Sequence, residues 1–97
     1  MLTNKQRAEL RGMANSIDTI LQIGKGGITE TVVIQAQDAL RARELIKVKV
    51  LDTAPYSTRD TADALAEETE SEVVQVIGGK FVLYKRNLKD PVIILKK

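Results

Sequence analysis

Near the beginning of the chain, apolar residues first recur at the spacing of a helix and then form a short run typical of a strand. Thr3 and Gln6 match a capping box, in which each side chain bonds the backbone N–H of the other residue. The apolar residues that follow recur at helical spacing: Leu10, Met13, Ala14 and Ile17. This pattern predicts a helix from about Asn4 to Ala14, and the β-prone run from Thr19 to Ile23 predicts a short strand.

A second helix is predicted directly after the glycine-rich stretch 24–27. Thr29 is a residue type that caps helices, and the apolar residues behind it form one stripe: Val32, Val33, Ala36, Ala39 and Leu40. Taken alone, the β-branched cluster from Thr31 to Ile34 favours a strand. The Gln-Ala-Gln-Asp-Ala-Leu-Arg-Ala segment that follows contains mostly good helix formers, so we assign a helix.

In the second half of the chain, the residue pattern predicts a strand, a helix and then two further strands. Leu45 to Leu51 alternates apolar and lysine positions and predicts a strand. Ser57 or Thr58 then caps a third helix that runs to about Glu70. The side chains of this helix that face the core are Ala62, Leu65, Ala66 and Thr69. Gly78-Gly79 joins two further strands, Glu72 to Ile77 and Lys80 to Arg86, as an antiparallel hairpin.

The predicted order of elements is α-β-α-β-α-β-β, which is typical of an α/β fold. Strands separated by helices lie parallel and the closing hairpin is antiparallel, so we expect a mixed four-stranded sheet packed with helices. The 97 residues are expected to form one compact domain, 1–97, with its core at about 2–86. Val92 to Leu95, within the segment 87–97, fits an edge strand or a packed C-terminal tail, and the pattern does not choose between them.

Composition disfavours most enzyme mechanisms. The chain has no cysteine and no histidine, which removes thiol nucleophiles, the commonest general base and the usual zinc ligands. Adjacent carboxylates on the third helix point in different directions, so we expect no metal site there. We also expect no cofactor, and we predict that the protein is not an enzyme. With no apolar signal core and no apolar run of roughly 20 residues, we expect a cytoplasmic protein outside the membrane.

Charge is distributed unevenly along the chain. The segment from Asp52 to Glu72 holds seven acidic residues and one basic residue, Arg59, which leaves 14 basic and 6 acidic residues elsewhere. A basic body with an acidic segment suggests one face for a polyanion and another turned away from it. The alternative is that an amphipathic helix simply has a charged solvent face.

The glycine-rich stretch is the strongest candidate site. Gly24, Lys25, Gly26 and Gly27 lie between a strand and the helix that Thr29 caps, a junction at which backbone N–H groups attract anions. The spacing does not fit the Walker phosphate loop or the dinucleotide fingerprint. It fits a Gly-x-x-Gly clamp, which grips the sugar-phosphate backbone in some RNA-binding folds, and equally a tight turn without a ligand.

Basic residues form two clusters along the sequence. The first cluster, around the end of the second helix, is Arg41, Arg43, Lys47 and Lys49; the second, around the hairpin, includes Lys80, Lys85 and Arg86. Phosphate contacts by such residues give affinity that falls with salt, and an ordinary solvated surface is the alternative. Tyr84 either stacks on a base or belongs partly to the core.

Three ordered segments resemble the CRM domain family (chloroplast RNA splicing and ribosome maturation), in its stand-alone bacterial YhbY-like form. They are Gln22 to Glu30, then Ala39-Leu40 with Glu44 to Val50, and Val74 to Gly78 leading to Val82 to Arg86. The resemblance covers Leu2 to Arg86. Relatives often have Tyr-Arg-Pro where this chain has Tyr84-Lys85-Arg86-Asn87, which leaves the path of residues 89–97 unspecified.

The resemblance implies a fold similar to the C-terminal domain of translation initiation factor 3, with RNA bound at Gly24 to Gly27. It also implies a protein that binds large-subunit ribosomal RNA or its precursor and acts in ribosome assembly. We expect this protein to be a monomer. One alternative function is an adaptor that docks ribosomal proteins or assembly factors through the acidic third helix, and another is an enzyme that acts on a phosphorylated small molecule.

Overall fold

The computed structural model describes residues 2–93 and residue 95, and in this part of the chain it has three helices and four strands in the predicted order. The helices are α1 (Asn4–Ala14), α2 (Glu30–Arg43) and α3 (Thr58–Thr69). The strands are β1 (Thr19–Ile23), β2 (Leu45–Val50), β3 (Glu72–Ile77) and β4 (Lys80–Tyr84). The predicted α/β fold class is therefore confirmed.

Side-chain caps fix where the helices begin. The Thr3 hydroxyl accepts from the Gln6 N–H at 3.1 Å and the Gln6 side chain accepts from the Thr3 N–H at 3.0 Å, so the predicted capping box is present. Thr29 caps α2 by accepting from the N–H of Val32 at 3.2 Å. Ser57 caps α3 by accepting from the N–H of Asp60 at 3.1 Å. Each cap satisfies an N–H that the helix itself leaves without a partner.

The sheet is mixed, as predicted, and its strand order is β1-β2-β4-β3. β1 pairs with β2 in parallel, whereas β4 pairs antiparallel with both β2 and β3. The chain closes the β3–β4 hairpin at Gly78, whose φ of 58° suits glycine. Placing β4 between β2 and β3 brings the end of the chain next to its middle.

The helices cover both faces of the sheet. α2 and α3 cover one face, over a core that contains Ile46, Leu65 and Phe81. α1 covers part of the other face, over a smaller core that contains Leu10, Val82 and Tyr84. Within the described residues, no helix is both long and apolar enough to cross a membrane.

The C-terminal part of the chain departs from the pattern after Tyr84. β4 ends there rather than at Arg86. The N–H of Lys85 still donates to the carbonyl of Glu44 at 2.9 Å, in register with the Leu45–Tyr84 pair, but Glu44 has φ of 64° and β2 begins only at Leu45. Ile93 and Leu95 pack against the core under α1 and are not part of a strand. Ile94, Lys96 and Lys97, which belong to the same C-terminal segment, lie outside the described residues.

Candidate functional site

The glycine-rich stretch forms a tight turn between β1 and α2. The N–H of Gly27 donates to the carbonyl of Gly24 at 2.9 Å, so residues 24–27, here called the glycine loop, make one hydrogen-bonded β-turn. Lys25 and Gly26 occupy the two central positions and are exposed. The loop therefore presents one positive side chain and one position without a side chain to solvent.

The three glycines of the loop differ in how much space the fold leaves for a Cβ atom. Gly27 has φ of 67°, and a Cβ there would lie 3.0 Å from Cγ of Pro55. A Cβ at Gly24 would lie 3.3 Å from Cδ1 of Leu51. At Gly26 the nearest atom would be Cγ2 of Thr29 at 3.8 Å, an ordinary contact. Gly27 is thus favoured by both its backbone conformation and its contact with Pro55. A Cβ at Gly24 would need a small shift of the Leu51 side chain, whereas intramolecular contacts leave room for a side chain at Gly26.

The beginning of α2 lies directly after the glycine loop. Thr29, a predicted site residue, uses its hydroxyl oxygen to cap the helix and keeps its O–H as a donor. The positive end of the helix dipole favours an anion at this position, although Glu30 in the first turn offsets part of that attraction. The arrangement suits a phosphate that is also bound by lysine side chains.

A second loop packs against the glycine loop. The parallel strands β1 and β2 end side by side, and the N–H of Leu51 donates to the carbonyl of Ile23 at 2.9 Å. Residues 51–57 then lead into α3, so the beginnings of α2 and α3 lie at the same end of the sheet. This second loop carries Tyr56, which is 67% exposed. Tyr56 is not among the site residues predicted from the sequence, where its position beside Pro55 in a loop after a strand was the only signal.

Three predicted lysines lie together on the sheet face that α1 leaves open. Lys49 is the direct partner of Lys80 across the β2–β4 ladder, and Lys47 lies two residues along the same strand. Lys49 and Lys80 are exposed, and Lys47 is partly exposed. We call Lys47, Lys49 and Lys80 the lysine row. Among the described residues, none of the three takes part in an ion pair.

The lysine row lies close to the glycine loop. Gln22 pairs with Lys49 across the parallel ladder, and Gly24 follows Gln22 by two residues. Strand spacings therefore place the Cα atoms of Lys49 and Gly24 about 8 Å apart. Like charges directly opposite each other destabilise a sheet, so the Lys49–Lys80 pair creates a local positive potential that an anion would relieve. The loop and the row can contact the same polyanion.

The other predicted basic residues lie at the opposite end of the sheet. Leu45 pairs with Tyr84, so the end of α2 and the residues after β4 meet there and bring together Arg41, Lys85 and Arg86 in a shallow cleft. Arg43 lies at the same end of α2. The length of β2 places this end roughly 20 Å from the glycine loop. Antiparallel pairing thus splits each of the two sequence clusters and forms two new groups.

Several groups at this far end have partners within the protein. Arg41 forms an ion pair with Asp38 at 3.0 Å, and Nζ of Lys85 donates to the carbonyl of Thr69 at 3.0 Å, at the end of α3. The side chain of Asn87 donates to the carbonyl of Arg41 at 3.0 Å. These contacts connect α2, α3 and the segment after β4, which is a structural role.

A buried carboxylate organises the same end. Glu44 joins α2 to β2 with φ of 64°, and it is 0% exposed. Its side chain accepts from the N–H groups of Asn87 at 2.6 Å, Val92 at 2.5 Å and Ile93 at 2.6 Å. We call this arrangement the Glu44 clamp. Burial by itself raises the pKa of Glu44, but the three N–H donors and the nearby Arg86 outweigh burial and hold that pKa below its ordinary value.

The Glu44 clamp was not predicted from the sequence. Glutamate between Arg43 and Leu45 looks like a surface residue, and its partners are backbone groups more than 40 residues away. The only signal was that Glu44 is the single residue between a helix and a strand. The structure also decides the two interpretations of Tyr84, which is 5% exposed and belongs to the core under α1.

The acidic residues of α3 lie on the other side of the sheet from the lysine row. α3 packs over the core shared with α2 and leaves these residues exposed, namely Asp60, Asp63, Glu67 and Glu68. Glu72, the last acidic residue of the segment, lies instead on the α1 side, where it forms an ion pair with Arg7 at 3.7 Å. The charge separation expected from the sequence is therefore present only in part, since α2 also carries Arg41 and Arg43 on the α3 side of the sheet. In residues 2–93 and 95, no three acidic side chains are grouped so that they could hold a metal ion.

Comparisons with known proteins agree with this architecture. Residues 2–85 match the model of the CRS1/YhbY (CRM) domain. The chain is 45% identical over 87 residues to "Probable RNA-binding protein YqeI" of Bacillus subtilis, covering 90% of this chain and 91% of that protein. It is 36% identical over 84 residues to an "RNA-binding protein" of Haemophilus influenzae, covering 87% and 85% of the two chains.

A solved structure has the same fold. The solution structure of the hypothetical protein SAV1595 from Staphylococcus aureus superposes with a TM-score of 0.78 at 45% sequence identity. The match covers 99% of this chain and 100% of that one. The similarity therefore extends over all seven helices and strands that the structure describes.

Proposed function

Because this chain belongs to the CRS1/YhbY (CRM) domain family, we propose that it is a monomeric RNA-binding protein without enzymatic activity. Its relatives in Bacillus subtilis and Haemophilus influenzae are named as RNA-binding proteins. The observation that carries the proposal is the position of the glycine loop. An exposed lysine and an unobstructed glycine lie at the beginning of a helix, next to lysines that form no ion pair within residues 2–93 and 95.

In this proposal the glycine loop holds the sugar-phosphate backbone. Gly26 allows the RNA to approach the backbone N–H groups closely, and Lys25 supplies charge. The lysine row contacts neighbouring phosphates. Arg41, Arg43, Lys85 and Arg86 contact only an RNA long enough to reach the other end of the sheet, since they lie about 20 Å away.

We further propose that the RNA is large-subunit ribosomal RNA or its precursor, bound in the cytoplasm during ribosome assembly. This proposal is supported by the family resemblance of the three sequence segments that surround the loop and the hairpin. Crosslinking in living cells, followed by sequencing of the attached RNA, tests it. Enrichment of large-subunit sequences is expected, and enrichment of messenger or transfer RNA would contradict it.

The binding site is tested with purified variants and large-subunit ribosomal RNA over a series of salt concentrations. Lys25→Ala removes one phosphate contact, so we expect the slope of log affinity against log salt to fall by about one. Gly26→Asp adds bulk and negative charge and is expected to weaken binding further. Lys5→Ala, an exposed lysine on α1, is the matched control. Unchanged affinity in both loop variants would exclude the loop as the site.

The exposed acidic face of α3 supports a second function that is compatible with the first. It lies on the side of the sheet away from the lysine row and suits a basic protein surface, such as that of a ribosomal protein or assembly factor. Reversing the charges of Glu67, Glu68 and Glu70 tests it. Loss of association with ribosomal particles, with binding to naked RNA intact, is the expected result.

A further inference from the structure

Tyr56 differs from the other aromatic residues of this chain. The sequence contains three aromatic side chains. Phe81 and Tyr84 are buried in the two cores, whereas Tyr56 is 67% exposed. At this exposure the protein removes little of the ring's apolar surface from water, so most of that surface is open to contact with a partner outside the chain.

The structure holds Tyr56 beside the glycine loop. Pro55, the preceding residue, touches the position of Gly27 so closely that a Cβ there would lie 3.0 Å from Cγ of Pro55. The loop that carries both residues is fixed at its base by two hydrogen bonds of 2.9 Å, from Leu51 to Ile23 and from Ala54 to Leu51. At its other end Ser57 caps α3. The ring therefore projects from an anchored loop.

The charges around Tyr56 disfavour a phosphate at this position. Asp52 precedes it in the same loop, and Asp60 lies in the first turn of α3. Arg59, the nearest basic residue along the chain, forms an ion pair with Asp63 at 3.3 Å. The negative groups repel a phosphate, but they do not repel the neutral face of a nucleobase. The lysine row, on the face of the sheet that α3 does not cover, attracts phosphate.

We propose that Tyr56 stacks on an unpaired nucleobase of the RNA whose backbone is held by the glycine loop. This inference rests on the proposed RNA-binding function. The bound strand has its phosphates toward Lys25 and the lysine row and one base turned toward the loop 51–57. Because a base inside a duplex is already stacked on both faces, Tyr56 selects RNA with an unpaired nucleotide at this point.

The test uses an RNA hairpin whose loop carries 2-aminopurine, and a fully paired duplex of the same length. Tyr56→Ala is expected to weaken binding to the hairpin about tenfold, the typical effect of losing one stacked base. Tyr56→Phe keeps the ring and is expected to bind within about twofold of the parent protein. Quenching of 2-aminopurine fluorescence on binding is expected with Tyr56 or Phe and absent with Ala.

The controls separate this inference from the proposed function. Leu88→Ala removes another exposed apolar side chain, 85% exposed, and is expected to change neither affinity nor quenching. If the parent protein binds RNA and Lys25→Ala weakens it, but Tyr56→Ala binds like the parent, stacking is wrong and the proposed function stands. An equal loss on the paired duplex also overturns stacking. If the parent protein binds neither RNA, both proposals fail.

Discussion

The two ends of the central sheet carry similar positive charge, but they differ in what that charge contacts. Near the glycine loop, Lys49 and Lys80 face each other without an ion pair among the described residues. Near Glu44, Arg41 and Lys85 bind groups of the protein itself. Charge that is satisfied internally stabilises the fold, whereas charge left unpaired beside an open loop remains available to a ligand.

The same contrast applies to residues with unusual backbone conformations. Glu44 has φ of 64° and is retained because its buried carboxylate binds three N–H groups. Gly27 has φ of 67°, and a Cβ there would lie only 3.0 Å from Cγ of Pro55. A left-handed residue at one end thus fixes the C-terminal segment, and at the other end it shapes the proposed RNA clamp.

The largest expected effect is at the Glu44 clamp. Glu44→Ala leaves three backbone N–H groups without their acceptor, so the free energy of unfolding is expected to fall by about 3 kcal/mol or more. Urea denaturation measures it, with Glu68→Ala as the exposed control. RNA affinity of the folded protein is expected to stay unchanged. A loss below about 1 kcal/mol would show that the clamp contributes little.

The next largest effect is a difference in stability between alanine substitutions at two adjacent glycines. Gly27→Ala forces a Cβ into a left-handed conformation and against Pro55, so we expect a loss of about 2 kcal/mol in stability. Gly26→Ala meets only an ordinary contact, and we expect a change within about 0.5 kcal/mol. Thermal and urea unfolding of both variants measures the difference. Equal destabilisation would mean that the loop is not built as described.

The contribution of the Glu44 clamp to stability depends on pH. The pKa of Glu44 is lowered in the folded protein by its N–H donors, so its contribution is present above its ordinary pKa of 4.5 and is lost as pH falls below that value. Glu44→Gln lacks this titration. The stability difference between parent protein and Glu44→Gln is therefore expected to shrink below about pH 4.5, and a constant difference would contradict the assignment.

The smallest effect on stability has the opposite sign. Lys49→Glu replaces a cross-strand repulsion with an attraction to Lys80, so we expect a gain of about 0.5 kcal/mol. RNA affinity is expected to fall about tenfold in the same variant, because a phosphate contact becomes a repulsion. Arg41→Ala at the far end is expected to change RNA affinity less. A more stable variant with normal RNA binding would remove the lysine row from the site.

The elements of this fold were predictable because they depend on local signals. Capping residues, the Gly78-Gly79 turn and the alternation in β2 each specify a structure within a few residues. The insertion of β4 between β2 and β3 was not predictable from element order. That insertion decides which basic residues meet, and it turned two sequence clusters into a lysine row at one end and a partly satisfied group at the other.

Residues whose role depends on distant partners were missed. Glu44 reads as an ordinary surface acid until the segment after β4 supplies its donors. Tyr56 reads as a loop residue until Pro55 is seen against Gly27. The resemblance of three segments indicated the family and the glycine loop, but it carried no information on these contacts.

RNA binding at the glycine-loop end of the sheet can be observed residue by residue. The measurement is a titration of the ¹⁵N-labelled protein with the unpaired-loop RNA hairpin, followed through backbone amide shifts. The largest changes are expected at Gly24, Lys25, Gly26 and Gly27, with smaller ones at Lys49 and Lys80. Shifts confined to residues 85–93 and the end of α2, with the glycine loop unchanged, would contradict the claim.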